Sequence, residues 1–186
     1  MRNIKYFFQF VIIIFLFMIF RILGLKNSAT LSSTIFKIIG PLFRSSKIST
    51  NNLSFAFPNF NEIQKKKILN NMWNNYGKIF AEYVFMKDFR KSKKFSEKII
   101  IENKEQLETI IQQKKPVIFI SGHFNNFELM AMQIEKWGIS LAAIYRPLNN
   151  KFLNPIMERI RKKYICKKQI KRGISGTKEL LKNFRQ

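Results

Sequence analysis

Residues 117–128 read VIFISGHFNNFE, an apolar run that passes through a glycine into a polar turn. The four apolar residues Val117–Ile120 predict a short strand, buried on both faces of a parallel sheet. Gly122 predicts a turn, and Phe127–Trp137 then predicts a helix that is closed by Gly138. His123, the only histidine of the chain, is therefore expected at the carboxyl edge of the sheet, where α/β proteins bind their ligands.

The same alternation continues toward the C-terminus. Leu141–Tyr145 predicts a second strand, and Asn154–Tyr164 predicts a second helix with Pro155 in its first turn. A β-α-β-α order is typical of the α/β class. We therefore expect residues 99–186 to form a partial α/β domain.

Residues 26–98 predict a helical, membrane-proximal region. Leu31–Ile39 predicts a short amphipathic helix at a membrane surface, stopped by Gly40-Pro41. Asn61 predicts an N-cap for a helix that runs to about Met86, with apolar residues at steps of three and four. Lys87–Lys98 predicts a basic connector.

The N-terminus carries an apolar segment. Tyr6–Phe20 has no charge, and Ile22–Leu25 extends it beyond Arg21 to a total of 20 residues. A helix of that length spans a hydrocarbon core of about 30 Å. Residues 1–25 therefore predict a single membrane anchor, with a cleaved signal peptide and a buried core helix as the alternatives.

Basic residues on the two sides of this segment predict its orientation. Arg2 and Lys5 precede it, whereas a larger basic group follows it. The excess favours a cytoplasmic location for the bulk of the chain. The basic residues that follow are Arg21, Lys26, Lys37, Arg44 and Lys47.

Composition limits the possible partners and cofactors. The net charge of +23 points to an anionic partner, which is nucleic acid, acidic phospholipid or a phosphorylated lipid headgroup. No recognisable nucleic-acid-binding motif is present, so we do not expect a nucleic-acid partner. With one histidine and one cysteine, Cys166, the chain predicts neither a metal site nor a disulfide.

His123 and Glu128 form a His-x4-acid pattern that suits general base catalysis. The imidazole would remove a proton from an alcohol that attacks a thioester, and the carboxylate would orient the ring and stabilise the imidazolium. Such catalysis contributes about 10²–10⁴-fold in rate. The alternatives are a buried histidine with a purely structural role and a Ser121–His123 nucleophile pair.

Two basic positions are candidates for anion binding. Arg146 follows the second strand and is expected at the same sheet edge as His123, where it would clamp a phosphate or carboxylate. Arg172-Gly173 ends the basic run Lys167–Arg172 and predicts an anion-binding loop. A solvent-exposed arginine and a solvated charged run are the respective alternatives.

Taken together, these motifs resemble the lipid A biosynthesis acyltransferase family, the lauroyl and myristoyl transferases within the lysophospholipid acyltransferase superfamily. The similarity begins with the N-terminal anchor and extends along most of the chain. The remaining positions that carry it are Asn52-Leu53, Phe57-Pro58, Met72-Trp73, Gly77, Glu82, Gly122-His123-Phe124, Glu128, Tyr145-Arg146-Pro147 and Arg172-Gly173.

The resemblance implies transfer of a fatty acyl chain from acyl carrier protein to a hydroxyl of a Kdo-bearing lipid A precursor. It places the chain at the inner membrane, facing the cytoplasm, with acyl carrier protein and an anionic glycolipid as partners and no cofactor. His123 and Glu128 match the family's catalytic pair, and Arg146 matches its acceptor-binding arginine. The alternatives are a glycerophosphate or another glycolipid as acceptor, or a non-catalytic basic membrane protein that binds anionic lipid.

The family also bears on the length of the chain. Its members usually continue into further strands and an acidic motif that help to build the site. Because this sequence stops at Gln186, we expect an N-terminal fragment with a truncated sheet.

Overall fold

The structure, a computed structural model, describes residues 2–43 and 46–184. Arg44, one of the basic residues that follow the predicted anchor, and Gln186, where we expect the sheet to be truncated, lie outside the described residues. The fold is mostly helical, with a long apolar helix at the N-terminus and a small two-stranded parallel sheet.

The helices and strands follow one another in a simple order along the chain. They are α1 (Arg2–Phe43), α2 (Ser46–Ala56), α3 (Glu62–Glu82), a 3₁₀ turn (Tyr83–Phe85), α4 (Met86–Lys91), α5 (Lys93–Ser96), α6 (Lys104–Gln113), α7 (Phe127–Lys136), β1 (Ala142–Tyr145), α8 (Asn154–Ile160), a π-helical segment (Arg161–Ile165), β2 (Lys168–Lys171) and α9 (Ile174–Phe184).

The chain divides into two compact units. Residues 14–85 form the helical unit, and residues 1–13 with 86–186 form the sheet unit. The division into an anchor, a membrane-proximal region and a partial α/β domain at residues 25 and 98 stays a prediction.

Helix α1 contains the predicted anchor and is kinked at Gly24, whose φ of 74° and ψ of 168° are not helical. Its Arg2–Leu42 stretch is long and apolar enough to cross a membrane, and only 6% of its most apolar 18-residue window is buried. That exposure argues against the alternative of a buried core helix. The predicted stop at Gly40-Pro41 is wrong, because the helix includes Pro41 and ends at Phe43. Pro41 has no N–H to donate to the carbonyl of Lys37, so the helix continues through it with one hydrogen bond fewer.

Aromatic packing holds the helical unit together. The Phe80 ring of α3 contacts the rings of Phe17, Phe20 and Phe36 from α1, with centroids 5.2–6.2 Å apart. Phe20 is fully buried. Aromatic rings at these separations gain more than their buried area alone provides.

Helix α3 begins directly after Asn61, which confirms the predicted N-cap. The Asn61 side chain accepts a hydrogen bond from the Gln64 backbone, and the Gln64 side chain accepts one from the Asn61 backbone, both at 2.9 Å. This reciprocal capping box satisfies two backbone donors at the helix start. The connector predicted at Lys87–Lys98 is wrong, because α4 and α5 occupy much of it. Met86 and Phe89, three residues apart, are buried and give α4 an apolar face.

The sheet unit contains the parallel strand pair. Ala142–Tyr145 confirms the second predicted strand to within one residue, and Asn154–Ile160 with the π-helical segment confirms the helix after it. The basic run is not simply a solvated loop, since β2 pairs in parallel with β1. Ile170 of β2 is almost fully buried, whereas its lysines at 168 and 171 are exposed.

The strand predicted at Val117–Ile120 is wrong. The segment has no regular secondary structure, and Ile118 and Ile120 are 73% and 93% exposed. A strand requires a hydrogen-bonded neighbour. In the part of the chain that the structure describes, β1 pairs with β2, so no ladder includes residues 117–120.

The first turns of α1 also belong to the sheet unit. The Asn150 side chain donates to the Tyr6 carbonyl at 2.8 Å and accepts from the backbone of Phe152 and Leu153. The Phe152 ring contacts the Phe7 ring, with centroids 5.7 Å apart. The turn before α8 is thereby fixed to the N-terminal end of α1.

Candidate functional site

The carboxyl ends of β1 and β2 bring three of the predicted site residues together. Tyr145 and Lys171 are register partners at the strand ends, so Arg146 and Arg172 leave the sheet side by side. The Arg172 amide donates to the Tyr145 carbonyl at 2.9 Å and extends the ladder by one residue. Gly173 then turns the chain into α9 with a φ of +124°, a value that L side chains rarely adopt.

Both arginines at this edge are exposed. Parallel strands end at one edge, which is where open α/β sheets bind ligands. Two guanidinium groups that leave adjacent strands can bind a phosphate or carboxylate with several charge-assisted hydrogen bonds. The edge therefore has the residue types and the backbone placement of an anion-binding site.

His123 lies in the irregular segment before α7. Its ring is exposed and packs edge-to-face against the Phe127 ring, with centroids 4.5 Å apart. The alternative of a buried structural histidine is therefore wrong. The Ser121 hydroxyl donates to the Gly122 carbonyl at 3.2 Å, a bond that does not prepare it as a nucleophile.

Glu128 lies in the first turn of α7 and is only 6% exposed. Its Oε1 lies 2.7 Å from Nη2 of Arg161 and 2.8 Å from Nε of the same residue. A buried carboxylate requires a compensating charge and hydrogen bonds, and Arg161 supplies both. Glu128, the acid of the His-x4-acid pattern, is thus held in place by Arg161 from the π-helical segment that follows α8.

The sequence interpretation missed Arg161. The residue begins the π-helical segment Arg161–Ile165, and single π-helical turns often occur at functional sites. A signal was available, because Arg161 lies four residues after Met157, which is buried. A charged residue at that spacing lies on the inward face of the helix and needs a buried partner.

A second polar cluster lies beside the strand edge. The Tyr145 hydroxyl donates to Oε1 of Glu158 at 2.5 Å, and the Asn154 amide donates to the same oxygen at 2.8 Å. Lys171 Nζ approaches that oxygen to 3.6 Å. The Arg161 guanidinium lies 5.8 Å from the centroid of the Tyr145 ring. This cluster joins β1, β2 and α8 near the strand edge that carries the two exposed arginines.

The cluster shifts two pKa values. Burial, followed by the hydrogen bond to Glu158 and its charge, raises the pKa of Tyr145 to about 12, against an opposing effect of Arg161. The hydrogen bond from Tyr145 lowers the pKa of Glu158 and outweighs burial, with further lowering by Asn154 and Lys171. Tyr145 therefore stays neutral and Glu158 stays ionised over the physiological range.

Cys166 belongs to the core. Its thiol is buried, and Sγ lies 2.9 Å from the Leu141 carbonyl. Burial, with the nearby Glu135 charge, raises the pKa of the thiol, which suppresses the reactive thiolate. Within residues 2–43 and 46–184, no three His, Cys, Asp or Glu side chains form a group that would hold a metal ion. The predicted absence of a cofactor stays a prediction.

The structure therefore groups the predicted site residues in two places. Arg146, Arg172 and Gly173 share the carboxyl edge of β1 and β2, and Glu128 is paired with Arg161. His123 is exposed just before α7, and its pairing with Glu128 stays a prediction. Exposed basic residues at the carboxyl ends of a parallel strand pair are suited to binding an anion.

Comparison with protein families gives a match over the whole chain. The model of the family described as bacterial lipid A biosynthesis acyltransferase matches residues 1–186. The chain belongs to this acyltransferase family. Comparison with curated proteins and with solved structures found no match.

Proposed function

We propose that the chain transfers a fatty acyl chain from acyl carrier protein to a hydroxyl of a Kdo-bearing lipid A precursor. The observation that carries this proposal is the family match over residues 1–186. It is supported by an exposed His123 that lies close in sequence to a buried, arginine-held Glu128.

The chemistry assigns one role to each residue of the pair. Neutral His123 takes the proton of the acceptor hydroxyl while that oxygen attacks the thioester carbonyl. The carbon–sulfur bond then breaks, and the leaving thiolate takes the proton back from the imidazolium. Glu128 orients the imidazole and stabilises its charged form, while Arg161 keeps the carboxylate in place.

The basic strand edge is proposed to bind the acceptor. A lipid A precursor carries phosphate groups, which match the fork geometry of arginine. Arg146 and Arg172 lie side by side and are exposed, so an entering phosphate displaces water and breaks no described ion pair of these two residues. The basic surface also suits an acidic carrier protein, since complementary charge increases the rate of encounter.

The same proposal places the chain at the inner membrane with its catalytic part facing the cytoplasm. It is supported by the length and hydropathy of α1 and by the larger basic group after the apolar segment. A glycerophosphate or another glycolipid as acceptor remains the alternative within the enzyme class.

The test measures acyl transfer from acyl carrier protein to a Kdo-lipid A precursor by membranes that carry the full chain and lack other transferases for that acceptor. We expect His123→Ala to lower the rate by about 10²–10⁴-fold. Ser121→Ala is the matched control, since that side chain is exposed and lies two residues away. It is expected to retain the rate.

The two variants separate the possible mechanisms. An unchanged rate in His123→Ala overturns the assignment of the base, and a collapse in Ser121→Ala favours a serine nucleophile. Absence of transfer by the unaltered chain, with its membrane association intact, favours the non-catalytic lipid-binding alternative. Transfer to a glycerophosphate in place of the lipid A precursor corrects the acceptor alone.

A further inference from the structure

A groove in the helical unit combines positive charge with an apolar lining. It lies among α1, α2 and α3 and has a volume of about 630 Å³, within the range of about 300–1,000 Å³ that is typical of small-molecule sites. Its lining includes three lysines and several large apolar residues, among them Lys37, Lys66, Lys67, Leu69, Met72 and Trp73.

The apolar part of the groove comes mainly from α3. Leu69, Met72 and Trp73 lie at helical spacing and are half-buried, so each leaves part of its surface for a ligand. The Trp73 ring lies directly over Gly40, where a Cβ atom would overlap it. The indole is thereby fixed against α1 as one wall of the groove. Exposure of this apolar wall to water is unfavourable, and a hydrocarbon chain that covers it would remove that surface from water.

The charged part comes from two helices. Lys66 and Lys67 are consecutive residues of α3, and Lys37 is on α1. All three are exposed, and within residues 2–43 and 46–184 none of them makes an ion pair. The nearby Glu62 is paired with Lys65 at 3.0 Å. The groove therefore presents three uncompensated positive charges, which attract an anion.

We propose that this groove binds an anionic phospholipid, with the phosphate among the three lysines and one acyl chain along the apolar wall. A free phosphate would satisfy the lysines and leave the apolar wall in water. A zwitterionic lipid such as phosphatidylcholine also offers a phosphate, but its choline cation would be repelled by the lysines. The lining also includes Lys37 and Pro41 of α1, which follow the Gly24 kink in the helix that carries the predicted membrane anchor. The groove is therefore expected close to a membrane surface, where phospholipid is available. None of its residues takes part in the proposed acyl transfer.

The experiment uses Trp73 as a local probe. The chain has two tryptophans, and Trp137→Phe leaves Trp73 alone in the otherwise complete chain. The protein, in non-ionic detergent micelles, is titrated with phosphatidylglycerol or phosphatidylcholine that carries brominated acyl chains, which quench a contacting indole. We expect phosphatidylglycerol to quench half of the Trp73 fluorescence at a lower mole fraction than phosphatidylcholine does. The preference should fall by about fivefold for each lysine replaced by glutamine.

The control isolates the groove from the general charge of the protein. Lys78→Gln removes an exposed lysine from the same helix, outside the groove lining, and should leave the lipid preference unchanged. Lys66→Gln alone should lower it, and Lys37→Gln with Lys66→Gln and Lys67→Gln should abolish it. A retained helical circular dichroism spectrum verifies that the variants are folded. If the triple variant does not fold, the single variant Lys66→Gln provides the test.

Three results overturn the proposal. The first is equal half-quenching by the two brominated lipids. The second is a loss of preference in Lys78→Gln as large as in Lys66→Gln. The third is removal of the quenching by inorganic phosphate at the concentration of the lipid, since that result assigns the groove to a free phosphate.

Discussion

Arg161 binds Oε1 of Glu128 through two of its nitrogens, with Nη2 at 2.7 Å and Nε at 2.8 Å from that oxygen. Both side chains are largely withdrawn from solvent, at 15% and 7% exposure. The pair links the first turn of α7 to the π-helical continuation of α8 and so fixes the predicted catalytic acid to the scaffold of the sheet unit. A carboxylate placed in this way has little freedom to rotate, which is a requirement for orienting another side chain.

We expect Arg161→Gln to destabilise the sheet unit and to abolish acyl transfer. Breaking a buried ion pair from one side leaves an uncompensated charge, and such changes lower the free energy of unfolding by about 3–5 kcal/mol. Denaturant unfolding of the full chain in detergent measures this change. Arg159→Gln is the matched control, because Arg159 is an exposed residue of α8 and should change stability by no more than about 0.5 kcal/mol.

A double-mutant cycle with Glu128→Gln separates the pair from its surroundings. If the two residues stabilise each other, the double variant is less destabilised than the sum of the single variants. Additive effects would contradict the pairing that the structure describes.

Local signals in the sequence predicted much of the fold. Asn61, with Gln64 three residues later, determines where α3 begins, because the capping bonds are made between residues that are close in the chain. The predicted strand at Leu141–Tyr145 and the helix after it rest on apolar runs and on Pro155, which are also local. Each of these elements begins within one residue of its predicted position, whereas α3 ends at Glu82, four residues before the predicted end at Met86.

The wrong predictions concern partners that are distant in the chain. Val117–Ile120 reads as a buried strand, yet its state depends on whether another strand pairs with it. The lysine-rich β2 reads as a charged loop, yet it pairs with β1 and buries Ile170. The spacing of Arg161 from Met157 indicates an inward-facing charge, but its partner Glu128 is identified only in the structure. Spacing along the chain does not encode such contacts across elements.

We expect Arg146→Gln and Arg172→Gln to raise the KM for a phosphorylated acceptor by more than they lower kcat. The two residues leave paired strand ends side by side and are proposed to contact the acceptor, not the reacting atoms. Loss of one charge-assisted hydrogen bond of this kind costs about 1.5–3 kcal/mol, or about 10- to 150-fold in affinity. Steady-state kinetics at two salt concentrations measures the effect.

The control for these arginines is Lys178→Gln, which removes the same charge from an exposed position of α9. It should leave KM unchanged. A fall in kcat alone, with KM unaltered, would place the arginines in the chemical step and contradict their role in acceptor binding.

Burial of Tyr145, together with its hydrogen bond to Glu158, predicts a loss of stability in alkali. The folded-state pKa of Tyr145 is raised to about 12, above the value of about 10 for an unfolded tyrosine. Between these values the unfolded chain loses a proton that the folded chain keeps, so stability decreases as pH rises from about 10 to 12. Thermal unfolding at pH 9–12 of the full chain and of Tyr145→Phe checks this. The variant lacks this titration, so its decline should be shallower, and equal slopes would assign the decline to other groups.

Gly77→Ala is expected to destabilise the helical unit although alanine is the better helix former. In α3 the replacement gains up to about 1 kcal/mol of helix propensity. Its Cβ atom, however, would lie 2.5 Å from the Ser33 Cα and 2.6 Å from the Ser32 carbonyl oxygen, and backbone atoms of α1 cannot rotate away. Overpacking of this kind costs about 1–3 kcal/mol, so the clash outweighs the propensity. Asn71→Ala, at an exposed position of the same helix, changes propensity without the clash and should raise the thermal midpoint slightly. A midpoint that rises in both variants would show that α1 and α3 do not approach as closely as Gly77 and Ser33 indicate.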